Sequence, residues 1–134
     1  MKAVFDTHVL VAAFITEGLC SKLLVRGRKR QFHLIACPII FREFEYVFIH
    51  KFSATRKEAR DALKIISEAI DNLVHPSQTV KGVCRDPDDD AILACALEAE
   101  VDYLVTGDAD LLELKTFKGI HIVNPRDFEL LFND

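Results

Sequence analysis

Short apolar runs alternate along this chain with stretches whose apolar residues recur every three or four positions. Lys2 to Phe5 reads as a strand, and the apolar segment after Asp6 reads as a helix. Gly18 breaks that helix, and a second is expected from about Leu19 to Arg30. Phe32 to Cys37 suits a strand, and Pro38 suits the first position of a helix reaching about His50. Thr55 to Glu58 is a capping-box pattern. It opens a helix whose apolar residues Ala59, Ala62, Leu63, Ile66, Ala69, Ile70 and Leu73 share a face, so the helix is expected to run up to His75-Pro76. A short strand near Thr79 to Val83 follows, then a helix opened by Asp88 or Asp89 and reaching about Ala99. Strands at Asp102 to Thr106 and Ile120 to Val123 precede a last helix from Pro125 to Phe132, capped by Asn124.

Strands separated by helices pair in parallel and need cover on both faces. The expected fold class is therefore α/β, a three-layer α/β/α sandwich with a mostly parallel sheet. No linker, repeat or change of composition divides residues 1–134, which read as one domain. Half of the residues are apolar and 28% are charged, a balance that excludes disorder as a description of the whole. No apolar run approaches the roughly 18 residues that cross a bilayer, and Asp6 and His8 interrupt the first apolar stretch too early for a signal peptide. Cys20, Cys37, Cys84 and Cys95 are scattered with no CxxC spacing, so a zinc knuckle or disulfide framework is not expected and a reducing cytoplasm is. Ten Phe and only five Gly suggest more apolar surface than one core hides, and hence a homodimer.

A net charge of −4 and a pI near 5.7 argue against binding nucleic acid through bulk charge. The distribution matters more than the sum. From Gly18 to Arg42 there are six basic side chains and no carboxylate; from Asp86 to Leu114 there are ten carboxylates and no Lys or Arg. Lys22, Arg26, Lys29 and Arg30 recur at helical spacing and can present several cations along one face. They are candidates for contacting nucleic-acid phosphates, against the plainer reading of a solvated helix face.

The acidic residues fall where an open α/β sheet keeps its ligand site, beyond the carboxyl ends of the strands. Asp6 directly follows the first strand, Asp108 follows the strand ending near Thr106, and Asp86, Asp88, Asp89 and Asp90 precede a helix. Capping explains any one of them. It does not explain why all are acidic, because carboxylates gathered on one crevice repel one another unless they share a hard cation.

These segments resemble the PIN-domain nucleases, in particular the small stand-alone prokaryotic kind that includes VapC-like toxins of toxin-antitoxin pairs. The likeness rests on AVFDTHVLV, CPIIFREFEYVF, CRDPDDDAILACALEAEVDYLVTGDADLL and the closing IHIVNPRDF, which together cover nearly the whole chain. The resemblance implies a catalytic quartet of Asp6, Glu43, Asp89 and Asp108. Asp6, Asp89 and Asp108 would ligate Mg²⁺ or Mn²⁺, with Asp110 a further ligand and Thr7, His8 and Thr106 orienting the ligands or a water. Many relatives carry Asn where this chain has His8. Helical spacing alone does not choose between Glu43 and Glu45, and Asp90 stands next to Asp89 as an alternative. The implied activity is metal-dependent hydrolysis of phosphodiesters, RNA before DNA, with a small antitoxin protein as partner and pairing through helices near the second and third. Two rivals from other classes are a PIN-like module that binds nucleic acid or a partner with little turnover, and a haloacid-dehalogenase-type phosphohydrolase. The latter usually has a second Asp where His8 stands.

Overall fold

The structure, a computed structural model, describes residues 1–133. Six strands form one sheet: β1 (Lys2–Phe5), β2 (His33–Ala36), β3 (Ile70–Leu73), β4 (Tyr103–Val105), β5 (Thr116–Phe117) and β6 (Ile120–Val123). Their order across the sheet is β3-β2-β1-β4-β6-β5, parallel throughout except for the antiparallel β5–β6 hairpin. Seven helices connect them: α1 (Thr7–Ile15), α2 (Leu19–Arg28), α3 (Pro38–Phe52), α4 (Arg56–Ala69), α5 (Pro87–Ala99), α6 (Ala109–Leu114) and α7 (Pro125–Glu129). The chain builds outward from β1 through β2 to β3, then returns to place β4 on the other side of β1. Right-handed crossovers running in opposite directions put helices on opposite faces. Accordingly α1 to α4 and α7 pack on one another, while α5 packs against β1 and β2. The three-layer α/β sandwich expected from the alternation is the fold observed.

The central strands are apolar on both faces, as a sheet covered twice requires. Ala3, Val4, Phe5, Leu34, Ile35, Leu104 and Val105 are all buried. The aromatic side chains concentrate in this core rather than on the surface. Phe5, Phe32 and Phe128 meet with ring centroids 5.1–5.8 Å apart, and Phe14 packs against Phe44 and Phe48 on the α1–α3 side. Only Phe52 among the ten is exposed, so the abundance of Phe is not itself a sign of surplus apolar surface.

Four sequence expectations are corrected. The helix expected to reach His75 stops at Ala69, where Ile70 turns extended. Ile70 to Leu73 instead joins the edge of the sheet beside β2, with a register shift between Leu34 and Ile35. Asp71 and Asn72 are poor helix residues, and Asp71 is held by Arg30 and His33, which anchors the segment as a strand. Thr79 to Val83 forms no strand: Gly82 takes φ +70°, which breaks an extended run. The fifth helix starts at Pro87, capped by Asp86 rather than by Asp88 or Asp89, and the last helix ends at Glu129. The short α6 and the two-residue β5 lie in a stretch for which periodicity had supplied no element. Among the described residues no single helix is long and apolar enough to cross a membrane.

Candidate metal centre

The reversal of strand order falls between β1 and β4, the switch point at which an α/β sheet opens a crevice beyond its carboxyl ends. Asp6 leaves β1 there, with its backbone N–H donating to the Val105 carbonyl of β4 at 2.9 Å. Thr106 leaves β4 alongside it. The Thr106 hydroxyl is fully buried and donates to Asp6 Oδ2 at 2.6 Å, while accepting from the Asp108 backbone N–H at 3.0 Å. One hydroxyl therefore aims a carboxylate on β1 and fixes the turn that carries another. Asp108 also caps α6 by accepting from the Leu111 N–H at 3.1 Å through Oδ1.

A cleft of about 420 Å³ opens over this point, with Asp6, Glu43, Asp89 and Asp108 in its wall together with Asp86 and Asp88. Helix α3 contributes Glu43 and α5 contributes Asp89 from its first turn. Glu43 Oε1 is buried with no hydrogen-bond partner among the described residues. Burial, with the charges of Asp88, Asp6, Asp86 and Asp89, pushes the Glu43 carboxyl up to about 7. Burial and the charges of Asp108, Asp6, Asp86 and Asp110 push Asp89 up to about 6. In both, burial is the larger cause and repulsion by neighbouring carboxylates adds to it, because the wall gathers more negative charge than the folded chain neutralises.

The geometry separates residues that spacing left together. Glu43 lines the cleft, whereas Glu45 is exposed and lies outside it. Asp90 is buried and accepts from the Cys84 backbone N–H at 2.8 Å, so it braces the loop before α5 while Asp89 faces the cleft. Asp89, Asp108 and Asp110 can bring ligand oxygens within 4.8 Å of one another. Asp110, however, is clasped by Arg85, with contacts of 2.6 and 3.1 Å that hold its carboxyl below the usual range. His8 lies in the cleft wall, and Thr7 is buried at the start of α1, its hydroxyl without a partner among the described residues.

The basic stretch on α2 does not stand free. Arg26 has a side chain only 5% exposed; it is paired with Glu129 and stacked 4.5 Å over Phe132. Buried there, it does not reach a polynucleotide. Arg30 donates to the Ala69 carbonyl at 2.7 Å and pairs with Asp71 at 2.8 Å, capping the end of α4. Lys22 reaches Glu129 at 3.3 Å, and only Lys29 of the four lacks a partner among the described residues. Three other residues of the cleft escaped the sequence reading: Arg42, Tyr46 and Lys51, all on α3. Arg42 and Tyr46 are four residues apart, a signal that marks a shared helix face but not which way the face points.

An oxygen-only donor set, an unpartnered buried carboxylate oxygen and raised carboxyl pKa values fit a hard divalent cation. Residues 2–110 match the PIN domain family. Among solved structures the chain is similar to the crystal structure of VapBC2 from Rickettsia felis bound to a DNA fragment from their promoter. The TM-score is 0.68 at 17% sequence identity, over 92% of this chain and 98% of that one. No curated protein matches the chain by sequence.

Proposed function

Since the chain belongs to the PIN-domain family, we propose that it is a divalent-metal-dependent nuclease that hydrolyses phosphodiester bonds of RNA. The observation that carries this reading is the meeting of Asp6, Glu43, Asp89 and Asp108, distant in sequence, in one cleft with a buried Glu43 oxygen left without a partner. Asp6, Asp89 and Asp108 would hold Mg²⁺ or Mn²⁺, with Asp110 joining on release from Arg85. When bound, such an ion supplies neutralising charge at phosphoryl oxygens and makes a water more acidic. The Thr106 hydroxyl keeps Asp6 Oδ2 turned inward, and His8 borders the same space. Glu43, on the α3 wall of the same cleft, would ligate the ion or orient the attacking water beside it.

The same reading extends to partners. The similar structure is a VapBC2 assembly, which supports this chain as the toxin of a pair with a small antitoxin-type protein as its partner. The exposed side chains of Leu130 and Leu131, just past α7, support self-association as a homodimer. Cleavage of end-labelled RNA and of single-stranded DNA by the full chain in Mn²⁺ tests the function directly. RNA should be cut, a chelator should stop it, and Asp6→Asn or Asp89→Asn should abolish it. Binding of RNA without any chelator-sensitive cleavage would leave a binding module instead.

A further inference from the structure

The cations of this chain divide into those with partners and those without. On α2 and its end, Lys22, Arg26, Arg28 and Arg30 are each paired with a carboxylate. Arg42 and Lys51 on α3, and Arg56 and Arg60 on α4, are exposed and have no ion pair or hydrogen bond among the described residues. They border three adjoining depressions. The acidic cleft of about 420 Å³ has Arg42, Tyr46 and Lys51 in its wall. Next to it, a depression of about 230 Å³ is lined by Arg42, Glu45, Tyr46, Ile49 and His50. A third, of about 390 Å³, shares Glu45, Ile49 and His50 with the second and ends at Arg56 and Arg60.

Arg42, Tyr46 and His50 recur every four residues and so form a single stripe along α3. The core side of that helix is built from Ile40, Phe44 and Val47, so packing makes no use of the Tyr46 ring. That ring is 60% exposed and lies 4.5 Å from the His50 ring. A flat aromatic surface flanked by unpaired cations is the arrangement by which proteins hold single-stranded nucleic acid, with bases on the rings and phosphates on the cations. We propose that this stripe of α3 is the path by which a single-stranded RNA leaves the acidic cleft. One nucleobase stacks on Tyr46 beside His50, neighbouring phosphates rest on Arg42 and Lys51, and the strand continues toward Arg56 and Arg60. A second copy of the chain is disfavoured over the second and third depressions, because two-fold packing would bring Arg42, Arg56 and Arg60 toward their own images where Glu45 is the one lining carboxylate.

The inference rests on the nuclease reading of the cleft, and the test keeps the two apart. Binding of a fluorescein-labelled oligouridylate of about ten nucleotides, the scale of a short single-strand site, is followed by anisotropy in Mg²⁺. Every protein in this assay carries Asp89→Asn, so that the probe stays whole. Adding Tyr46→Ala should weaken binding about tenfold, and Tyr46→Phe should restore it, since stacking needs the ring and not the hydroxyl. Arg42→Gln and Lys51→Gln should each flatten the log-log salt dependence by about 0.7. The exposed α4 variant Lys64→Ala should bind as the parent does. Tyr46→Ala binding within about twofold of the parent overturns the path, as do salt slopes of Arg42→Gln and Lys51→Gln equal to the parent's. So does a Tyr46→Ala chain whose mass by light scattering halves while its RNA affinity stays the same, which would make the face a contact between copies. Cleavage by the wild-type chain is measured separately: cleavage with no effect of Tyr46→Ala leaves the nuclease reading standing without this path. A Tyr46-dependent affinity without cleavage does the reverse.

Discussion

Glu43 and Asp89 both bear an electrostatic cost in the site, because each is desolvated and faces four other carboxylates. The folded pKa of Glu43 near 7, and that of Asp89 near 6, lie above the ordinary carboxyl range. The folded metal-free chain therefore holds protons that the unfolded chain releases, and this contribution is full below about pH 4 and lost as pH rises through 6 to 7. Melting of the chelated protein should thus occur at a higher temperature near about pH 5 than near about pH 8, with Glu43→Gln flattening the dependence. Differential scanning fluorimetry across pH measures both. Thr106 tests geometry instead of charge. Thr106→Val removes the hydroxyl that donates to Asp6 and accepts from the Asp108 N–H while keeping the volume. Loss of such a support typically costs about 10- to 100-fold in metal affinity or activity, so Mn²⁺-dependent cleavage should fall by that much, and Thr106→Ser should recover most of it.

At the scale of elements, the pairing of α2 with α7 explains why a basic run became structure. Arg26 reaches across to Glu129, which also receives Lys22, and lies over Phe132. Arg26→Ala leaves Glu129 without its buried partner and should cost about 3 kcal/mol of unfolding free energy. Lys29→Ala, at a site with no such partner, should stay within about 0.5 kcal/mol. Chemical denaturation of the two variants separates these roles. The same elements show where reading from sequence stopped. Helices α3 and α4 were legible from Pro38 and from the Thr55–Glu58 capping box, which forms as written with contacts of 2.9 and 3.0 Å. The end of α4 was not, because Ile70 and Leu73 continue its apolar spacing. The open edge of β2 and the grip of Arg30 on the Ala69 carbonyl and on Asp71 decide that the helix stops there.

For the whole molecule, a cation that binds the folded chain and not the unfolded one stabilises it by mass action, about 2.7 kcal/mol at a hundredfold excess over Kd. Added Mn²⁺ should therefore raise the melting temperature of the wild-type chain in proportion to the logarithm of its concentration. Asp89→Asn should lose that rise while melting above the wild type in chelator, since one charge leaves a repulsive cluster. Thermal melts over a Mn²⁺ series check both halves.

The layered α/β class, the placing of Asp6 and Asp108 at strand ends and the acidic turn before α5 are legible along the chain alone. These follow from local rules: apolar period, turn residues and caps act over a few neighbours and can be read in order along the chain. Tertiary structure decided which of two nearby carboxylates faces the cleft, Glu43 rather than Glu45 and Asp89 rather than Asp90, because a helix's rotation is set by what it packs against. It also decided which cations are left for a partner. Arg26 and Arg42 stand in the same basic block. Only the fold brings Glu129 to the first from 103 residues away and leaves the second open beside the site.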